Sequence, residues 1–457
     1  GTFLATRTTT GYVRIYQNIN DNWTQIGSDI YGEASYDFSG SSVSLSDDGS
    51  IVAIGDPYND ANGERRGHVR IYQNINDNWA QIGDDIDGEA AYDESGSSVS
   101  LSSDGSVIAI GAIGNDNNGE GRGHVRIYQN INDIWIQIGS DIDGEAAWAS
   151  SGSSVSLSDD GSVVAIGSLS GHVSIYQYID NVWSRFGSDI DVNATSGASV
   201  SLSDDGSVVA ICANGHADAT AHIGIYKNVD GTWKQIGNSI QGEATYGTSL
   251  SLSDDGSVVA ISSPAYQSHD YPGLKSNGYV RIYQNENGAW NQVEDDIDGE
   301  ATYGESGYSV SLSSDGSIVA IGAYKNDDNG ANSVNLRVFY TSSYKGISEN
   351  LKKVTTYTAT DYDAEDTVSW SLRGTDAELF DIDSATGVLS FINPPDYESP
   401  LGGTDDNSNA YQLTIIATDS GNNKDSTDVT INVNDVEEEP IPEPIPEPEP
   451  EPIPIIP

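Results

Sequence analysis

Five glutamates stand at one recurring position of this chain, each just after a glycine and, in every case, before an alanine: Glu33, Glu89, Glu145, Glu243 and Glu300. A sixth copy reads "NAT" at Asn193–Thr195. Carboxylates in such an array are a candidate binding face for a cation or a basic partner; alternatively they are solvated side chains bonding nearby backbone N–H groups. His68, His124, His172 and His222 also share one position, but each falls in a different copy, which predicts structural roles rather than joint chelation of one metal. The "NDxNG" stretches at 59–63, 115–119 and 326–330 are oxygen-rich, as calcium requires, yet lack alternating Asp and a closing Glu, so plain turns are expected. Arg14, Arg70, Arg126, Arg281 and Arg337 are expected to pair with the surplus acid. No nucleophile–base pair, zinc spacing or phosphate loop stands out, and equivalent glutamates with no distinct acid, base or nucleophile argue for a protein that is not an enzyme.

Charge narrows the partners. There are 19 Lys and Arg against 70 Asp and Glu in 457 residues, a net charge of −51. Nucleic acid is excluded as a partner and anionic membrane would be repelled. No apolar stretch reaches the roughly eighteen residues a spanning helix needs, so direct membrane insertion is excluded too. The chain contains no Met, even at position 1, which predicts a processed or partial product with any secretion signal upstream. Its single cysteine, Cys212, stands where sister copies carry Gly55, Gly111 and Gly167, and reads as a small buried residue. "NWT" at Asn22 and "NAT" at Asn193 are N-glycosylation acceptor patterns, relevant on a eukaryotic secretory route.

The elements that must position these residues come from a repeat. The Leu of "SLS" recurs at 45, 101, 157, 202, 252 and 312, at separations of 56, 56, 45, 50 and 60 residues. Each "SLSxDGS" leads to an apolar run such as "IVAIG", a loop, "GHVRIYQN" and a segment holding one Trp (Trp23, Trp79, Trp135, Trp183, Trp233, Trp290). Segments rich in Val, Ile and Tyr are strands, and "DG" is a tight hairpin. A four-stranded meander repeated at roughly 45–60 residues predicts a β-propeller, because one such sheet cannot bury both its faces alone. Seven copies of the second and third strands, against six of the first and fourth, predict seven blades with the two terminal ones incomplete. The missing strands are expected from upstream sequence or a neighbouring chain. The loops joining strands two to three vary most and share a face with the "GEA" loops, making that face the candidate binding surface, with Trp148, Tyr266 and Tyr271 as its aromatic candidates.

With "SGSSVSLS", "AIGA" and "GHVRIY", residues 1–340 resemble the FG-GAP-type repeats of integrin α-subunit propellers. The aspartate-rich calcium loop common in that family is replaced here by "SDDGS" at 46–50, too short to wrap a cation, so that site is not expected. Near Ser343 the pattern changes to "ISEN", "TATDYDAEDTVSWSL", "LFDIDSATGVLSF", "PDYES", "YQLTIIATDSG" and "STDVTINVNDV". Alternating strands and turns predict a β-sandwich. The ordered series resembles a cadherin repeat, a Greek-key sandwich. That resemblance implies calcium half-sites at the two ends of the domain. Glu349, Asp396, Glu398, Asn434 and Asp435 match one, with Asn432 replacing an Asp of the family; Asp361, Asp363 and Asp419 match the other. The tail from Glu437, "EEEPIPEPIPEPEPEPIPIIP", is expected to be an extended polyproline II strut whose 21 residues reach about 65 Å.

The expected domains are therefore a propeller over 1–342, a cadherin-like sandwich over 343–436 and the acidic proline tail over 437–457. Together they predict an extracellular or cell-surface protein with a structural or adhesive role, calcium-braced, either a filament or appendage subunit or an adhesin. Its expected partners are neighbouring subunits or other surface proteins, in an oligomer or polymer. The alternative is a module binding a glycan or protein ligand through the variable loop face.

Overall fold

A computed structural model describes residues 3–7, 11–19, 22–34, 36–61, 63–116, 119–191, 196–214, 221–241, 249–264, 277–286, 288–293, 295–300, 305–326, 333–341, 345–348, 352–356, 368–400, 409–418 and 424–434. The chain divides into two compact units, Gly1–Ser343 and Tyr344–Pro457.

The first unit is a seven-bladed propeller, one antiparallel sheet per repeat. Blade 3 shows the pattern: inner strand Ser95–Leu101, second strand Val107–Ala112, third strand His124–Ile131 and outer strand Ile134–Gln137. A short segment, Ile142–Asp143, pairs with the start of the third strand, so the outer edge is two pieces separated by a bulge. Every residue of Val107–Ala112 is buried, as expected for a strand covered by its own neighbours and by the next blade. At about 1.5–3 kcal/mol for each fully buried Val or Ile, these second strands supply much of the core.

Blade 1 consists of Phe3–Arg7, Tyr12–Ile19 and Asn22–Tyr31, which are second, third and outer strands without an inner one. Blade 7 consists of Ser306–Leu312, Ile318–Asn326 and Ser333–Tyr340, without an outer one. Counting strand types in the sequence leads to the same two gaps.

Three sets of bonds join successive blades, and the repeated residues make them. The indole N–H of Trp79, Trp135, Trp183, Trp233 and Trp290 each donates to a carbonyl of the preceding blade, on Ile26, Ile82, Ile138, Phe186 and Ile236. Hydroxyls of Ser44, Ser100, Ser156, Ser201 and Ser251 accept the N–H of the next blade's Leu101, Leu157, Leu202, Leu252 and Leu312, at 3.0–3.1 Å. This explains the alternating serines of "SVSLS". Near the axis, the "DG" hairpins form a backbone chain in which Asp47, Ser103, Asp159, Asp204 and Asp254 each donate to the carbonyl of the next, ending at Ser314. Each hairpin closes through the Asp before its Gly: in blade 2, Asp48 accepts from Ser46 Oγ and Ser50 N at 2.8 Å, and Gly49 takes φ +66°.

The first Asp of these hairpins is less comfortable. Burial, then the neighbouring carboxylates Asp254 and Asp159, push Asp204 up to about 9, and Asp47, Asp159 and Asp254 are raised for the same reason. A carboxyl raised in the folded state costs nothing below the ordinary value near 4, and its cost grows as pH climbs toward the raised value. Asp204→Asn is therefore expected to stabilise the propeller by about 1–3 kcal/mol at pH 8, after allowing for solvent screening at this half-buried site, and by almost nothing at pH 4.5. Denaturant unfolding at the two pH values checks this, and an equal effect at both would refute it.

The second unit is a two-sheet sandwich. One sheet orders Lys345–Ser348, Lys424–Asn434, Ala410–Thr418 and Ser369–Arg373; the other orders Lys353–Thr356, Val388–Phe391 and Phe380–Ile382. Alternate residues of these strands form the core, with Phe380, Phe391 and Tyr411 in mutual ring contact around Leu389, Leu413, Ile415 and Ile431. The tail from Glu437 lies outside the described residues.

Candidate functional site

The loop face of the propeller brings the "GEA" loops and the variable loops together, as the meander requires. In blade 2, Tyr92 N donates to Glu64 O, Glu94 N to Arg65 O and Ser95 N to Arg66 O. In blade 3, Trp148 N, Ser150 N and Ser151 N donate to Glu120, Gly121 and Arg122. The described residues of the "NDxNG" stretches at 59–63 and 115–119 make turn bonds: Asn59 Oδ1 accepts Ala61 N, Asp60 Oδ1 accepts Arg65 N, and Asp116 Oδ1 accepts Gly121 N. The third, at 326–330, falls almost wholly outside the described residues.

The described glutamates of the array are all exposed, and each meets groups of the blade beside it. Glu145 pairs with Arg185 and Glu300 with Arg337. Glu33 accepts from Asn59 at 3.4 Å. Glu33 also lies with His68 and Asp85, and Glu89 with His124 and Asp141, the ligand atoms of each trio being within 4.8 Å of one another. Glu243 lies outside the described residues. The arginine series does pair with acid: Arg14 with Asp29, Arg70 with Asp56, Arg281 with Asp296, Arg337 with Glu300. Arg126 instead donates to the Asp87 carbonyl.

The two histidine trios are sister positions with different surroundings. His68 Nε2 lies 3.0 Å from Asp56 Oδ2, and Arg70 Nη2 donates to the same oxygen at 2.9 Å. Burial would raise Asp56, but the His68 hydrogen bond and the Arg70 charge outweigh it and hold Asp56 below the usual carboxylate range. Burial would lower His68, and Asp56 raises it instead. In blade 3 the residue facing His124 across the ladder is Ala112, where blade 2 has Asp56. His124 is 1% exposed and neither ring nitrogen has a partner. Burial, with the Arg126 charge, pushes it down, so the imidazole is neutral at neutral pH.

Asp85 and Asp141 escaped the sequence reading, although Asp29, Asp85, Asp141, Asp189 and Asp296 recur before an isoleucine in five of the six copies, Ser239 standing in the other. They sit in the bulge of the outer edge, where Gln81 and Gln137 donate to them at 2.7 Å.

In the sandwich unit, Asp396 and Glu398 are exposed, and Asp396 Oδ1 accepts Ser399 N at 3.0 Å. Asn434 ends the strand Lys424–Asn434. Glu349, Asp361, Asp363, Asp419 and Asp435 lie outside the described residues, as do Asn193, Tyr266 and Tyr271; Asn22 begins an outer strand. Cys212 is buried.

The architecture and these residues define a propeller protein joined to a sandwich module. Comparison with known proteins states it more closely: residues 86–128 match the family model "FG-GAP repeat" and residues 346–434 match "Cadherin domain". The chain thus carries an FG-GAP repeat and a cadherin domain. No curated protein matches it. Among solved structures, the Cps50 (Swd1) β-propeller domain of Myceliophteria thermophila is similar at TM-score 0.50 and 12% identity, over 74% of this chain and 92% of that one. A putative 6-phosphogluconolactonase from Bacteroides uniformis follows at TM-score 0.47 and 12% identity, over 74% and 96%. The first of these likenesses, at 12% identity, speaks for the fold alone. A propeller and a cadherin domain fit an adhesion or binding role, and among the described residues no helix is long and apolar enough to cross a membrane.

Proposed function

We propose that this is an extracellular, non-enzymatic structural or adhesive protein that assembles with neighbouring chains at a cell surface, with calcium bracing its cadherin domain. The observation that carries this reading is that, among the described residues, blade 7 lacks an outer strand and blade 1 an inner one, places that a neighbouring chain or upstream sequence would fill. Ser333–Tyr340 has no outer neighbour and Phe3–Arg7 no inner one among the described residues. An open edge is a template for strand addition, and the repeat defines what fits it: a Trp strand on the outside, an "SVSLS" strand on the inside. The net charge of −51 suits calcium-dependent association, since divalent ions offset repulsion between copies. Light scattering of the native protein in millimolar calcium is expected to give a multi-chain mass that falls on chelation. A single-chain mass in both conditions would refute assembly.

A second reading rests on a separate observation. Tyr36, Tyr92 and Trp148 occupy the same place in three successive "GEA" loops and are 87%, 51% and 68% exposed. All three hold positive φ, at 85°, 67° and 62°, a conformation that is costly for aromatic residues and persists where the surroundings enforce it. A row of exposed rings beside carboxylates is the surface a glycan or protein ligand would use. Glycan screening, with Trp148→Ala as the loss-of-binding variant, separates this reading from assembly alone.

A further inference from the structure

We propose that Glu89, His124 and Asp141 form a binding site for one borderline divalent metal ion, of the zinc type, on the loop face of blade 3. Their ligand atoms lie within 4.8 Å of one another. The independent observation is the imidazole itself, almost fully buried, with both nitrogens unpartnered and at least one directed to the two carboxylates. A buried ring with no hydrogen bond is costly, and sister blade 2 shows the usual remedy, a carboxylate opposite it at Asp56. Blade 3 has lost that partner to Ala112 and kept the histidine.

Blade 4 shows that the carboxylate pair can hold a cation. Glu145 and Asp189, the sisters of Glu89 and Asp141, are bridged by the guanidinium of Arg185. In blade 3 the residue at that position is Gln137, an uncharged amide bonded to Asp141. The space between the carboxylates is thus filled by a guanidinium in one blade and faced by a buried imidazole without a hydrogen bond in the next. One nitrogen and two carboxylates suit zinc or a neighbouring first-row ion, and imidazole disfavours calcium or magnesium, which take oxygen. Three protein ligands leave a position for water or for a group from a bound partner. Blade 2 is not included, because Asp56, itself paired with Arg70, already engages its histidine.

The test is zinc titration of the full chain by chelator competition, in millimolar calcium to saturate ordinary carboxylates, with the cobalt absorption spectrum reporting nitrogen ligation. The expected result is one tight zinc per chain, weakened by at least about tenfold in Glu89→Gln and in Asp141→Asn and lost in His124→Asn. Glu145→Gln should leave it unchanged. Glu89 is exposed, so its variant separates lost ligation from lost folding. No zinc uptake in calcium, or uptake equal in Glu89→Gln, Asp141→Asn and the parent, overturns the proposal.

Discussion

Replacing Asp56 by alanine is expected to cost the propeller about 3–5 kcal/mol, the usual penalty for removing one partner of a buried charged cluster. Asp56 is fully buried and collects His68, Arg70 and the N–H of Gly40. Without it, Arg70 keeps Tyr72, Ser39 and the Tyr31 carbonyl, but its paired carboxylate is gone and the weaker field of Glu33 is left to offset the guanidinium, whose Nε already lacks a partner. Asp56→Asn preserves shape and should cost less. The pH dependence has a definite sign. The lowered Asp56 contributes stability that disappears as pH falls below the ordinary carboxylate value, and the raised His68 contributes stability that disappears as pH rises through its own. Denaturant unfolding of both variants measures this, and a cost under about 1 kcal/mol for Asp56→Ala would mean that the cluster does not act as a buried ion network.

Gly111→Ala should cost about 3 kcal/mol by a different route, overpacking between blades. A Cβ there would sit 2.1 Å from the Gly152 carbonyl oxygen and 2.4 Å from Ser98 Oγ, which itself donates to that carbonyl at 2.7 Å. The obstruction is mostly backbone, so relief requires moving blade 4. Sister residue Ser262 shows how a side chain is accommodated at this position in blade 6: its hydroxyl accepts Ser249 N at 2.9 Å and donates to Ser249 O at 3.0 Å within the same sheet. Gly224→Ala is the control, meeting only the far end of the Tyr226 ring, and its sisters include Arg70, Arg126 and Ser174. Equal unfolding midpoints for the two variants would contradict the packing argument.

Much of the fold was legible because a repeat exposes its own constraints. "DG" marks the hairpin between first and second strands in each copy, the all-apolar "IVAIG" marks the strand covered on both sides, and unequal strand counts mark the two gaps. The bulge in the outer edge was not legible, since "GSDID" carries no breaker stronger than its glycine. The histidine trios were missed for a related reason. Glu89, His124 and Asp141 are separated by two loops and a blade boundary, and reading the histidines against each other across copies concealed what each meets within its own. The clue was present in "IVAIGD" beside "VIAIGA", where a single exchange of Asp for Ala removes the partner of a buried ring. Most of the residues matching cadherin calcium ligands fall outside the described ones, so the resemblance says more about them than the geometry does.

Among the described residues the indole bonds all point one way around the propeller, from each blade to the one before it, and none spans blades 7 and 1. Blade 7 has no such Trp, and Trp23 of blade 1 has no hydrogen-bond acceptor among the described residues. In a closed cycle, freeing any one blade breaks two interfaces. A stack whose joints are strong everywhere except one has ends, and an end blade is freed by breaking one. Over the described residues this set of bonds forms a linear array, so in residues 1–457 by themselves opening is expected to begin beside blades 1 and 7 and spread inward, and a Trp strand supplied from outside them would close the cycle. Amide hydrogen exchange would show that order as a gradient, slowest in blades 3 to 5 and fastest in blades 1 and 7.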